Sequence, residues 1–332
     1  MQRFQAHFAM GAVLALGLGL AACAPGDPGG RDDDDDTGGR PDADPNAGFI
    51  DAAPFIDAGG FYDGGGQSSG GACDKIDILF VVDNSASMED EQTALAAAFP
   101  QFVQVIEGYT NQTGQPIDYR VAITTTDVTW VDIFLPIPCN DGKFVTGSCP
   151  QWPAGRGWLQ RGDSDVSGAF SCAAKVGTNG SGFEMPLEAA KEALIDRVPT
   201  PNGSFLRDDA LLAVVLLTDE NDCSKPGLAV DLLHPNPCAD TASLEPIASY
   251  VSKLDMLKGG HGRWASAVIA IPPGAGQCGG AESSENVRLK EFTDMAGANG
   301  VFANICSGNM AQSLMQAFDT FGLACENIPP IN

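Results

Sequence analysis

The chain has 332 residues and carries a formal net charge of −25 at neutral pH. Its hydrophobic content of 44% is enough to build a folded core. The acidic balance argues against a nucleic-acid partner, because such binding needs Lys and Arg side chains to neutralise phosphates. It also argues against attraction to an anionic lipid surface, which needs the same basic side chains.

The first 22 residues have the pattern of a bacterial signal peptide. Arg3 precedes an apolar run over residues 8–22, which is shorter than a membrane-spanning helix. Residues 20–23, Leu-Ala-Ala-Cys, resemble a bacterial lipobox, in which the chain is cut before a lipidated cysteine. Ala24 then resembles the signal that sorts a lipoprotein to the outer membrane. We expect Cys23 to be lipidated and to anchor the protein in the cell envelope; a plain secretory signal is the alternative.

Residues 23–72 differ in amino-acid composition from the rest of the chain that follows. They are rich in Asp, Gly and Pro and include five consecutive aspartates at 32–36. Like charges repel one another and few side chains here can be buried, so we expect a disordered tether. This tether would separate the lipid anchor from the folded part of the protein.

From Cys73 onward, strand-like apolar runs alternate with amphipathic helical segments. The expected order is a strand at 76–82, a helix at 88–107, a strand at 119–125, a helix at 184–197, a strand at 211–218, a helix at 244–258, a strand at 264–271, a helix at 286–296, a strand at 301–305 and a helix at 309–321. Pro100 should kink or break the first helix. Residues 126–172, which contain Cys139 and Cys149, are expected to form an irregular insertion.

This alternation predicts a single α/β domain over residues 73–332. Strands joined by helices form a mainly parallel, doubly wound, Rossmann-like sheet with helices on both faces. In such sheets ligands bind at the carboxyl ends of the strands. Two strands here end in acidic residues, the first at Asp83 and the second at Asp219. We therefore expect a binding site where these two strand ends meet.

The segment after the first strand reads Asp83-Asn84-Ser85-Ala86-Ser87 and resembles the metal-ion-dependent adhesion site (MIDAS) of von Willebrand factor type A (vWA) domains. The resemblance covers about residues 73–325. In that family a Thr and a second Asp complete the site, and Thr178 and Asp219 match them here. The resemblance implies that Ser85, Ser87 and Thr178 contact the metal, and that Asp83 and Asp219 hold it through water.

The ligand set consists of oxygen atoms, which suit Mg²⁺ or Mn²⁺; Ca²⁺ prefers more oxygen ligands and should fit less well. Two alternatives stay open at this point. Thr178 lies nine residues before Leu187, a longer approach to the helix than is usual in the family, so the alternative is that Ser181, or no residue, completes the site. Ser85 or Ser87 would cap the following helix.

Nine cysteines remain once Cys23 is set aside, and an exported protein can form disulfides. Cys73 and Cys325 flank the domain, and the ends of a domain often lie close together, as in the clasp that some vWA domains carry. The other candidate pairs are Cys139–Cys149, Cys223–Cys238 and Cys278–Cys306. Cys172 is left over, so one thiol would be free or would pair between molecules.

The expected function is metal-dependent binding of a protein partner, which would supply a carboxylate to an open position on the metal. Two other classes remain as alternatives: a scaffold lipoprotein whose metal only stabilises the loops, and a metal-dependent hydrolase. We expect no enzymatic activity, because the acidic segment 219–222 lacks a nucleophile and a base at suitable spacing. The integrin-recognition tripeptide at 161–163, Arg-Gly-Asp, is expected to be a surface loop that arose by chance.

Overall fold

The computed structural model describes residues 73–330, except for residues 112, 133–134, 199, 231–235, 237 and 277–284. The predicted signal peptide, the lipidation site Cys23, the tether and Cys278 therefore lie outside the described residues. Within the described part, no helix is long and apolar enough to cross a membrane.

The predicted strands and helices are present in the predicted order, and further short strands and one more helix lie between them. The strands are β1 Lys75–Val82, β2 Asp118–Thr125, β3 Trp130–Asp132, β4 Leu135–Ile137, β5 Leu159–Gln160, β6 Leu211–Leu217, β7 Ala229–Val230, β8 Trp264–Ala270 and β9 Gly300–Asn304. The helices are α1 Glu89–Gly108, α2 Val166–Ala173, α3 Pro186–Lys191, α4 Ile247–Lys258, α5 Val287–Ala296 and α6 Met310–Glu326.

The main sheet has the strand order β5-β2-β1-β6-β8-β9 among the described residues. All neighbouring strands run parallel, apart from β5, which is antiparallel to β2. From β1 the chain moves to β2 on one side, and it later continues through β6, β8 and β9 on the other. The direction of winding therefore changes between β1 and β6, which is where doubly wound sheets form their ligand crevice.

Helices cover both faces of this sheet. Ile78 and Phe80 of β1 belong to the core that α1, α2 and α6 close, whereas Leu79 and Val81 belong to the core under α3, α4 and α5. A strand buried on both faces must be apolar at every position, which explains why β1 and β6 read as continuous hydrophobic runs. The predicted α/β fold, with a mainly parallel sheet and helices on both faces, is confirmed.

Pro100 does not break the first helix, because α1 continues through it from Glu89 to Gly108. Proline has no N–H group, so the carbonyl of Ala96, one turn earlier, loses its helical partner. The hydroxyl of Ser171 in α2 donates a hydrogen bond to that carbonyl over 2.7 Å. A tertiary contact thus replaces the missing helical bond.

The segment 126–172 is more regular than predicted. It contains β3, β4 and β5, and its last residues form α2, which begins at an Asp165 cap. β3 pairs with β4 and with β7 in a small second sheet. Because β3 follows β2 and β7 follows β6, this small sheet lies beyond the carboxyl ends of the main strands. Trp130 of β3 is buried there against the ring of Phe183, at a centroid distance of 5.3 Å.

The predicted helix 184–197 is shorter at its amino end and changes type at its carboxyl end. α3 begins at Pro186, because proline fits the first helical turn, where its missing N–H has no intrahelical acceptor. A π-helical turn, Glu192–Asp196, then extends it. Glu184 and Met185 are consequently left in the loop that precedes the helix.

Two of the predicted disulfides are present and one is wrong. Cys73 is bonded to Cys325, and Cys223 is bonded to Cys238. The first of these bonds ties the residue before β1 to the last turn of α6.

Cys149 is bonded to Cys172 rather than to Cys139. The turn at 147–149 lies against the end of α2. Its closeness is shown at Gly147, where a Cβ atom would be 3.0 Å from Cys149 Sγ and 3.9 Å from Ala173 Cα. Cys139 lies shortly after β4 and packs against the core on the opposite face of the main sheet from Cys149. Cys139 is disulfide-bonded, and so is Cys306. No described cysteine is a free thiol. The leftover cysteine expected from the odd count is therefore not found among the described residues.

Candidate metal site

Asp83 lies immediately after β1, at the point where the winding of the sheet changes. Val82 is in register with Leu217 of β6, and the Asp83 N–H donates to the Leu217 carbonyl over 2.9 Å. The hydroxyl of Thr218 donates to Asp83 Oδ2 over 2.5 Å. The Asp83 side chain is fully buried. The first acid of the motif is therefore held by the neighbouring strand.

The loop after Asp83 turns both serine hydroxyls toward the second acid. The Ser85 N–H donates to Asp83 Oδ1 over 2.7 Å, which closes the turn. The hydroxyls of Ser85 and Ser87 are 3.3 Å apart, and that of Ser87 donates to Asp219 Oδ1 over 3.1 Å. The structure thus joins four of the five predicted ligands in one hydrogen-bonded network.

The alternative role of the serines as helix caps is wrong. The residue that caps α1 is Met88, and no side chain caps the helix by a hydrogen bond. The Met88 N–H instead donates to the backbone carbonyl of Ser85 over 3.2 Å. The Ser87 hydroxyl contacts Asp219 and the Ser85 hydroxyl contacts that of Ser87, so neither is used by the helix.

The loop that contains Thr178 is attached to α1 and to the Asp83 loop. Gln92 of α1 donates to the carbonyls of Asp83, over 2.9 Å, and Gly177, over 2.7 Å. The Gly177 N–H donates back to the Gln92 side chain over 3.2 Å. Gly177 has a φ of +93°, which favours glycine. Thr178 follows directly and is half-buried.

The same loop contacts the Asp83 loop a second time through Gly180. The Gly180 N–H donates to the Asn84 carbonyl over 2.7 Å. A Cβ atom at Gly180 would lie 2.5 Å from Asn84 Cγ, so only glycine allows this approach. Thr178 is therefore positioned between two attachments to the metal-site elements.

Ser181, the alternative to Thr178, serves a different purpose. Its N–H donates to Asp127 Oδ1 over 2.8 Å, and its hydroxyl oxygen accepts the Phe183 N–H over 3.0 Å. Asp127 also accepts the side-chain amide of Asn84 over 2.7 Å. Ser181 is buried in this turn, so its contacts belong to the loop's own structure.

The electrostatics of the site favour a cation. Burial raises the pKa of Asp83 to about 7; the hydrogen bond from Thr218 lowers it and the nearby charge of Asp219 raises it. Burial also raises the pKa of Glu184 well above its usual range, with the charge of Asp83 as the next cause. No Lys or Arg is among the largest influences on either carboxyl. A positive ion would relieve this repulsion between buried acids.

The donor atoms fit a hard divalent cation. The hydrogen-bonded network offers two carboxylates and two serine hydroxyls, and oxygen ligands suit Mg²⁺ and Mn²⁺. Thr178 lies in the adjoining loop, outside this network. No group of three or more His, Cys, Asp or Glu side chains converges as a metal cage within the described residues. Any metal here must therefore rely on hydroxyls as well as on carboxylates.

Sequence reasoning missed several residues that shape the site. They are Asn84, Gln92, Asp127, Glu184 and Thr218. Thr218 is a polar residue at the end of an apolar strand, which is a usable signal. Gln92 is a polar residue on the otherwise apolar face of α1, which is a second one. Nothing in the local sequence pattern points to Asp127 or Glu184.

The Arg-Gly-Asp tripeptide is engaged within the protein. The Arg161 guanidinium donates to the carbonyls of Ile117, over 2.6 Å, and Ile106, over 2.8 Å, and it pairs with Glu107. Asp163 accepts the Gln160 N–H over 2.8 Å and pairs with Arg156. Both charged side chains are therefore committed to internal contacts, which supports a structural role for the tripeptide.

Comparison with known proteins gives no family assignment: no family model and no curated protein matches the chain. Among solved structures it is similar to crystal form 2 of proximal thread matrix protein 1 from the mussel byssus, with a TM-score of 0.41, 15% identity and coverage of 75% of this chain. A structure of the same mussel protein with a zinc-occupied MIDAS motif gives a TM-score of 0.37, 15% identity and coverage of 76%. The chain spans about half of these structures, 49% and 46%. At these scores the fold assignment rests on the strand order and register of this chain itself.

Proposed function

We propose that this chain is a divalent-metal-dependent binding module of the vWA type. The observation that carries the proposal is the network at the switch between β1 and β6, in which Asp83, Ser85, Ser87 and Asp219 meet. The motif after β1 predicts this arrangement, and the register between β1 and β6 places the second acid beside it. Asp83 is buried beside Asp219, and no basic group is among the largest influences on the Asp83 carboxyl, which supports a cation at this point.

Mg²⁺ or Mn²⁺ is the proposed ion, and Ca²⁺ is the less suitable one. Ser85 and Ser87 would contact the ion directly, and Asp83 and Asp219 would hold it through water, as the vWA resemblance implies. Thr178 is the proposed fifth residue, because Ser181 is engaged with Asp127 and Phe183. The bound ion would supply a Lewis-acidic position that an outside carboxylate can occupy.

The proposed partner is a protein that presents a carboxylate to the metal. The proposed place of action is the bacterial cell envelope, with a lipid on Cys23 anchoring the chain in the outer membrane. No catalytic activity is proposed. A scaffold whose metal only stabilises the loops and a metal-dependent hydrolase are the alternatives that the experiments below separate.

Titration calorimetry of the purified protein with Mg²⁺, Mn²⁺, Ca²⁺ and Zn²⁺ tests the metal site. Zn²⁺ is included because the mussel protein holds it at a MIDAS motif. The variant combining Asp83→Ala with Ser85→Ala should bind Mg²⁺ at least about 100-fold more weakly, because it loses one anchoring carboxylate and one ligand. Metal at one hundred times its dissociation constant should stabilise only the wild-type fold, by about 2.7 kcal/mol.

Asp209→Ala is the charge-matched control for this titration. Asp209 is exposed and pairs with Lys75. It lies just before β6, at the amino ends of the strands, whereas the candidate metal site lies at their carboxyl ends. It should therefore keep wild-type metal affinity. Equal affinity in the wild type and in the double variant would contradict the proposed site.

Partner capture tests the binding function. An envelope extract containing Mg²⁺ should yield a protein that binds the wild-type chain, is released by a chelator and is not captured by Asp83→Ala. Retention of the partner after chelation, together with a lower melting temperature, would favour the scaffold alternative. Metal-dependent turnover of a panel of ester and phosphate substrates would favour the hydrolase.

A further inference from the structure

Glu184 is a buried carboxylate that the site described so far does not use. It lies in the loop directly before α3, and its side chain is 1% exposed. Oε2 accepts a hydrogen bond from the hydroxyl of Thr126, while Oε1 is buried and has no hydrogen-bond partner. Buried polar atoms are normally satisfied, so this spare oxygen calls for a ligand or a water molecule.

The position of Glu184 is set by the strands that flank Asp83. Val82 of β1 is in register with Thr125 of β2, so Thr126 stands beside Asp83 at the end of the sheet. The Thr126 hydroxyl then links Glu184 to this strand end. Asp83 therefore has Thr218 beside it on the β6 side. On the β2 side it has Thr126, which is hydrogen-bonded to Glu184.

The charges around Glu184 are negative. The charges of Asp83, Asp127 and Glu220 all raise its pKa, after burial itself. A buried carboxyl placed among other acids is costly for the metal-free fold, and a cation nearby would offset that cost.

Glu188, one turn into the following helix, shows how an ordinary buried acid is accommodated in the same protein. It is also 1% exposed, but Lys191 donates to Oε1 over 2.9 Å and Tyr250 donates to Oε2 over 2.7 Å. Both oxygens of Glu188 are thus satisfied by protein groups. Glu184 has the same burial and half of the hydrogen bonds, which separates it from a purely structural acid.

We propose that Glu184 is a positioning residue of the metal site: its free Oε1 accepts a hydrogen bond from water bound to the cation, and its charge strengthens cation binding. This inference rests on the proposed metal site. Carboxylates that orient metal-bound groups from outside the ligand set commonly change metal affinity by about 10- to 100-fold. Glu184 adds a third buried carboxyl to the pair that the motif itself provides.

Glu184→Gln is the decisive variant, because it keeps the size of the side chain and the acceptor for Thr126 but removes the charge. We expect its Mg²⁺ affinity, measured by titration calorimetry, to fall about 10- to 100-fold. The melting temperature of the metal-free variant should be no lower than that of the wild type, because a repelled acid is removed. A purely structural residue would show the reverse: lower stability with unchanged affinity.

Glu188→Gln is the matched control, with equal burial and a position on the same segment. It should lower the melting temperature, because it disrupts the contact with Lys191, and it should leave Mg²⁺ affinity unchanged. If Glu184→Gln fails to fold, Glu184→Asp replaces it; the carboxylate is then withdrawn by one methylene group and affinity should fall several-fold.

The outcomes separate this inference from the proposed function. Wild-type Mg²⁺ affinity in Glu184→Gln, or in Glu184→Asp if that variant is needed, overturns the role of Glu184. The metal site itself still stands in that case if Asp83→Ala loses Mg²⁺ binding. Absence of metal binding by the wild-type protein overturns both. Weaker Mg²⁺ binding by Glu184→Gln with an undiminished melting temperature supports both.

Discussion

Replacing Cys73 and Cys325 together with Ala is expected to lower the free energy of unfolding by about 5 kcal/mol. This disulfide joins residues 252 positions apart, so it restricts the unfolded chain more than a bond that closes a short loop. It also holds the start of β1 against the end of α6. Chemical denaturation under non-reducing conditions measures the loss.

The Cys149–Cys172 pair is the control for chain length. Its residues are 23 positions apart, and removing it should cost only about 3 kcal/mol. Metal affinity should be unchanged in the Cys73 and Cys325 variant, because this bond lies at the amino end of β1 and Asp83 lies at the carboxyl end. Equal losses from both disulfides would show that loop length does not determine their contributions.

The second large effect is expected from Arg207→Leu, which should destabilise the protein by about 3–5 kcal/mol at neutral pH. Asp77 is fully buried in β1, and Arg207 contacts it through its backbone N–H, over 2.7 Å, and its guanidinium, over 2.7 Å. Removing the guanidinium would leave a buried carboxylate with only the weaker influence of the Arg120 charge. Lys75→Leu, which removes a partly exposed pair with Asp209, should cost at most about 1 kcal/mol.

The pH dependence of Arg207→Leu provides an independent check. In the wild-type protein burial raises the pKa of Asp77 and the Arg207 charge opposes this rise. Without Arg207 the pKa of Asp77 should rise further. A raised pKa in the folded state stabilises the fold below the unfolded pKa, and this stability is lost as pH increases through the folded pKa. The loss of stability caused by Arg207→Leu should therefore be smaller at about pH 5 than at about pH 8. A loss that does not change with pH would argue against a buried ionised Asp77.

Local sequence patterns were sufficient for the framework of this domain. The apolar runs of β1 and β6 are long enough to require burial on both faces, and helical spacing marks the segments between the strands. This alternation predicts a parallel sheet, and the chemistry of such sheets places ligands at the carboxyl ends of the strands. Asp83 directly follows the apolar run of β1, and Asp219 follows that of β6 after one intervening residue. Both acids are therefore predictable from the sequence.

Contacts between distant segments decided what local patterns do not encode. Pro100 is tolerated inside α1 because Ser171 of another helix bonds the orphaned carbonyl of Ala96. Cys149 pairs with Cys172 because α2 folds back onto the turn at 147–149, whereas proximity in sequence favours Cys139.

The candidate metal site divides in the same way. The Asp83, Ser85 and Ser87 spacing is local and visible in the sequence, because one tight turn after a strand brings three side chains to one point. The contribution of Thr218 and the surroundings of Glu184 depend on which strands become neighbours of β1. Strand order is determined by the packing of helices on both faces and by the register between β1, β2 and β6, so only the tertiary structure places Thr126 and Thr218 on either side of Asp83.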